Sequence, residues 1–194
     1  LDQHGYITLG KIVTDEFLEM LLQRAHDLMM GKIKYKGMFF KLDDPDGDYF
    51  KIKHQDVKNE VFQGPSEKYK KIKDLEYDPL FLKLIQSELF KKICETRIGS
   101  NVSSMRAMIL NKSRFKSSIL PFHQDVSENW PMSGKPNFTV WLSLNGADKA
   151  KGCLKVVDGS HKFGIIGDGN NLLNEDLKKK FLNEKKNKIF RIRS

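Results

Sequence analysis

The chain is expected to be mainly β with flanking helices, an antiparallel sheet structure packed by helices, and three observations predict it. The long helical stretches come first, the residues after Gly99 fall mostly into short strand-like apolar runs, and the chain lacks the repeated βαβ alternation of a doubly wound fold. A single domain over residues 1–194 is expected, with 1–99 as a helix-rich flank and 100–194 as the sheet core.

In chain order, Thr14 to Met30 reads as an amphipathic helix. Thr14 is placed to cap it, Asp15 and Glu16 suit its positive end, and Phe17, Leu18, Leu21, Leu22, Ala25, Leu28 and Met29 share one apolar face. Gly31 supplies its stop. From Tyr35 to Glu67 the pattern dissolves into Gly, Asp, Pro and Lys, with Asp43 to Asp48 as the clearest turn; this stretch is expected to be loop. A second helix is expected from Asp78-Pro79 towards Gly99, with Ser87 as a break. Strands are then expected at about 102–111, 119–122, 137–144, 153–157 and 188–193, with a short helix at 174–181.

Composition narrows the function. With 39% hydrophobic and 10% aromatic residues in 194, the chain can bury a sizeable core. No apolar run is long enough to cross a bilayer and Leu1 opens without the regions of a signal peptide, so a soluble, cytoplasmic protein is the default expectation. The two cysteines, Cys94 and Cys153, lie in no metal-type spacing and suit a reducing compartment. The formal charge of +9 is spread along the chain without interleaved aromatics, which ranks nucleic acid below a small-molecule substrate, and an anionic one fits that charge.

The chemistry concentrates in Pro121-Phe122-His123-Gln124-Asp125. Residues i and i+2 of an extended segment share a face, so His123 and Asp125 offer a nitrogen and a carboxylate oxygen to one ion, two thirds of the two-histidine, one-carboxylate triad of non-haem iron sites. Gln124 faces the other way and reads as an orienting residue. The same tripeptide occurs at His54-Gln55-Asp56, but among lysines and without flanking apolar runs, so His123-Asp125 is preferred.

Gly152-Cys153-Leu154-Lys155-Val156-Val157, followed by Asp158-Gly159-Ser160-His161-Lys162, resembles the signature that accompanies an upstream His-x-Asp in the phytanoyl-CoA dioxygenase family of Fe(II)/2-oxoglutarate oxygenases. Arg106-Ala107-Met108 with Asn111-Lys112, and Gly64-Pro65-Ser66 with Tyr69 to Glu76, resemble elements of one subgroup. The resemblance implies a double-stranded β-helix, the cupin-like jelly roll, and a dioxygenase that uses Fe(II), 2-oxoglutarate and O2 to hydroxylate a small organic substrate, releasing succinate and CO2. It makes His123 and Asp125 the first two iron ligands and puts Lys71, Met108 and Trp141 where relatives contact 2-oxoglutarate. Read without it, Met108 and Trp141 are equally core residues and Lys71 a solvated charge. It also excludes His161 as the distal ligand.

That ligand and the arginine for the far carboxylate of 2-oxoglutarate belong, in the resemblance, to a later strand. No histidine follows His161, and Lys188 to Ser194 reads as a strand without a cap, so the C-terminal part of the barrel is expected to be missing. A jelly roll that binds or scaffolds without catalysis is the competing expectation.

Overall fold

The structure is a computed structural model, and it describes residues 1–43, 61–102, 106–114, 117–126, 138–166, 173, 176, 179 and 189–191. His54, Asp56 and most of the Asp43 to Asp48 turn lie outside them; of the expected helix at 174–181 only Asp176 and Lys179 are described, both helical. The chain divides into two compact units, Thr14–Ile119 and a second made of Leu1–Val13 with Leu120–Ser194.

In the Thr14–Ile119 unit, α1 spans Asp15–Met29 and Thr14 Oγ1 accepts from Phe17 N. Gly31, at φ 68°, supplies the left-handed residue that closes its C-terminus. Asp78 caps α2, Pro79–Ile85, where proline occupies a position that needs no N–H. Ser87 does break the second helical stretch, by capping a separate α3, Glu88–Ile98.

Three strands form an antiparallel sheet in the order β1 (Phe39–Leu42), β2 (Tyr69–Lys73) and β3 (Met108–Leu110). Phe40 pairs with Ile72 and Ile72 with Ile109, so these share one face, while Lys41, Lys71 and Leu110 pair across the other. A bulge after Lys41 sets Leu42 against Tyr69 and turns the tyrosine to the Phe40 face. There Tyr69, Phe40 and Phe62 pack with ring centroids 5.2 to 5.8 Å apart. The buried phenol donates to Gly64 O and accepts from Gln63 N.

The fully buried Asp78 ties α1 to α2. Its Oδ1 accepts from Leu80 N and Phe81 N while Arg24 of α1 donates to Oδ2 at 2.8 Å, and that bond holds the guanidinium pKa above its usual value. In the other unit, β4 (Lys155–Val157) pairs antiparallel with β5 (Ile189–Arg191).

Several expectations need correction. Residues 119–122 and 138–143 are not strands: alternation fits a chain for a pleated surface but forms one only against a partner ladder, and Pro121 has no N–H to give one. Of the expected strand at 102–111, the described residues are strand at Met108–Leu110. Conversely, β1 forms inside the expected loop, and β2 was not anticipated because lysine-rich segments have low strand propensity. Helices with antiparallel sheets are present; the described strands are too few to draw a jelly roll.

Replacing Arg24 by methionine is expected to cost about 3 kcal/mol or more in urea unfolding, because Asp78 would remain buried without its counter-charge. A loss below about 1 kcal/mol, as for an exposed ion pair, would show that Asp78 needs no partner.

Candidate metal-binding and anion-binding residues

In the unit that contains Leu120–Ser194, His123 forms an isolated β-bridge, half-buried, and Asp125 lies beside it with an exposed side chain. His123 Nδ1 is 2.9 Å from Pro121 O, a partner that can only accept. The ring therefore carries its proton on Nδ1 and turns the lone pair of Nε2 outward, as in histidines that bind metals. Asp125 Oδ1 stands 3.5 Å from Nε2, and Thr139 Oγ1 donates to Oδ2 at 3.3 Å, orienting the carboxylate. Two donors at ~2.1 Å from one ion, at right angles, are about 3 Å apart, so the pair fits a divalent cation after a small side-chain adjustment. Among the described residues no group of three or more His, Cys, Asp or Glu converges for a metal.

Gln124 does orient. Its amide Nε2 donates to Gly164 O at 2.8 Å and its Oε1 accepts from Ile166 N at 2.7 Å, so both ends of one side chain lock the His123–Asp125 segment to residues 164–166. That segment leaves the short 3-10 turn Ser160–Phe163, which holds the Gly-Ser-His sequence.

The turn fastens residues 2–4. His161 Nε2 bonds Asp2 O at 3.0 Å, Gly159 N donates to His4 O at 2.9 Å, and His4 Nδ1 meets Asp158 Oδ1 at 2.7 Å. Gly5, at φ 80°, is required here, since a Cβ would fall on the His161 ring. Trp141 belongs to this unit and is 41% exposed, so it is not core. Thr139 was not anticipated, since a hydroxyl fourteen positions from its partner leaves no sequence signal.

Lys71 and Met108 lie in the other unit, on the face of the sheet opposite Phe40 and Ile72. Lys71 is half-buried, and its pKa falls to about 8, first by desolvation and then by the charges of Lys73, Arg106, Lys41 and Lys70. A lysine in water would sit near 10.5. Between these two values the folded chain holds fewer protons than the unfolded one, so the cost of the cluster is present below pH 8 and relieved as pH rises.

A family model described as Phytanoyl-CoA dioxygenase (PhyH) matches residues 1–187. The chain belongs to this family. It is 31% identical to the peroxisomal phytanoyl-CoA dioxygenase of Bos taurus over 168 residues, which is 83% of this chain and 45% of that protein. Against phytanoyl-CoA dioxygenase 1 of Oryza sativa it is 28% identical over 195 residues, 84% of this chain and 63% of the relative. A match to the Homo sapiens peroxisomal enzyme is 30% identical over 106 residues, 51% of this chain and 30% of that protein. The chain thus spans about half to two thirds of the first two relatives. No solved structure matches it. The family is one of dioxygenases, and no helix among the described residues is long and apolar enough to cross a membrane.

Amine labelling tests the electrostatics of this family member directly. Half of Lys71 is expected to be neutral near pH 8, where an ordinary lysine is about 0.3% neutral. Acetic anhydride labelling read by peptide mass spectrometry should give Lys71 a midpoint near pH 8, well below the ordinary lysine range. A midpoint within that ordinary range would mean that the lysine cluster does not assemble.

Proposed function

We propose that this chain is part of an Fe(II)/2-oxoglutarate-dependent dioxygenase that hydroxylates a small organic substrate, built on a jelly-roll domain. The observation that carries this reading is the His123–Asp125 pair, with its tautomer fixed by Pro121 O, its carboxylate oriented by Thr139, and its Nε2 and Oδ1 facing each other at 3.5 Å.

His123 and Asp125 would hold the iron, with Gln124 keeping them in place. When bound, iron with 2-oxoglutarate and O2 supplies an oxidant: one oxygen atom enters a substrate C–H bond, the other enters succinate, and CO2 leaves. The chain's own work is to fix one face of ligands and leave the rest open. Lys71, by its charge, and Met108 and Trp141, by packing, are assigned to 2-oxoglutarate. Lys71 carries a positive charge at neutral pH in a partly desolvated setting, where an ion pair with a carboxylate gains more than in water.

Asp125→Ala is expected to abolish metal-dependent conversion of 2-oxoglutarate to succinate, while His54→Ala leaves the rate unchanged. Equal loss in both variants would overturn the choice of ligand pair. Binding of Mn(II) and 2-oxoglutarate, measured for this chain and for one extended by its native downstream codons, gives the broader test. If neither binds, the oxygenase reading fails and a non-catalytic jelly roll takes its place.

A further inference from the structure

The Gly-Ser-His stretch holds neither iron nor 2-oxoglutarate in the proposed chemistry, yet it lies between two sets of hydrogen bonds. On one side are the first residues of the chain. Gly5 N donates to Leu1 O at 2.6 Å, curling residues 1–5 into a turn, and Gly159 N donates to His4 O at 2.9 Å. His4 Nδ1 stands 2.7 Å from Asp158 Oδ1. His161 Nε2 is 3.0 Å from Asp2 O, and a carbonyl can only accept, so this nitrogen carries the proton. Gly5 occupies the space beside the other ring nitrogen, where a Cβ at φ 80° would stand 2.4 Å from Nδ1. On the other side are the neighbours of the candidate iron ligands. Gly164 O and Ile166 N engage both ends of the Gln124 amide, and Leu173 N donates to Phe122 O at 2.9 Å, on the residue before His123.

Only the 3-10 turn Ser160–Phe163 separates Gly159 from Gly164, a span of about 8 Å at 2.0 Å per residue. So short a turn passes a shift at one end on to the other. Gln124 is sensitive to such a shift, because one side chain must meet a carbonyl and an N–H two residues apart, and a rotation of that backbone that keeps one bond loses the other. We propose that residues 2–5 are a strap whose seat on the Gly-Ser-His turn sets residues 164–166 for Gln124 and, through Gln124, the His123–Asp125 pair. His161 and Gly5 are its positioning residues. The histidine serves as an Nε2 donor to Asp2 O, with Nδ1 covered by Gly5, so neither nitrogen is turned to an ion. Glutamine carries an N–H at a similar reach and can copy that donor. That the positioned pair holds iron rests on the oxygenase reading. That the strap sets Gln124 does not.

The test uses the whole chain and two measurements. Amide hydrogen exchange without metal, read by NMR, follows Ile166 N–H, whose acceptor is Gln124 Oε1. Mn(II) titration followed by electron paramagnetic resonance reads the ligand pair. Gln124→Ala removes both bonds, so it should speed Ile166 exchange and weaken Mn(II) about tenfold, the cost of a lost orienting partner. His161→Ala, and Gly5→Ala by driving the ring off Asp2 O, should each speed the same amide and weaken Mn(II) by about threefold or more. Both positions are exposed, so melting temperatures should stay within about 3 °C of the parent. His161→Gln should restore exchange and affinity. Because His161 acts through Gln124, the double variant His161→Ala, Gln124→Ala should bind Mn(II) no more weakly than Gln124→Ala alone. Unchanged Ile166 exchange in His161→Ala and Gly5→Ala would overturn the proposal. So would additive losses in the double variant, the result expected if His161 held the ion itself, or failure of glutamine to rescue. If the parent chain does not bind Mn(II), the oxygenase reading fails, and Ile166 exchange alone decides whether the strap sets Gln124.

Discussion

β2 lies between β1 and β3, and its register decides what each face of the sheet becomes. With Ile72 opposite Phe40 and Ile109, the apolar residues of three strands meet and Lys41, Lys71 and Lys73 are gathered on the reverse. A slip of one residue would exchange the faces and carry lysines into the core. The bulge after Lys41 extends the same logic, since only by breaking the alternation can Tyr69 and Ile72, three positions apart, both reach zero exposure. The Phe40–Phe62–Tyr69 cluster therefore depends on an irregularity.

The cationic face follows from this register rather than from any attraction between its members. Apolar burial on one side is worth about 25 cal/mol for each Å² removed from water, enough to tolerate crowded charge on the other. The result is a lysine whose proton is held loosely, in a member of a dioxygenase family whose relatives extend well beyond the length matched here.

In the other unit the organising device is a set of short polar links. Gln124 spans from the His123–Asp125 segment to residues 164–166, and the Gly-Ser-His turn just before them fastens residues 2–4 through backbone groups and the His4–Asp158 contact. The turn thus has a mechanical role in this chain, and its histidine meets a backbone carbonyl, Asp2 O.

The sequence by itself determined the local features: α1 with its Thr14 cap, the proline-led start of α2, the Ser87 break and the His123–Asp125 spacing. Each follows from side-chain chemistry acting over a few residues, and a linear reading contains it. Only the tertiary structure decided which apolar runs become strands, because a ladder needs a partner. It paired Lys41 with Lys71 across some thirty positions, brought Thr139 to Asp125, and seated the first residues of the chain on Gly159 and His161. Those contacts join segments distant in sequence, and no periodicity or spacing encodes which distant residue will arrive.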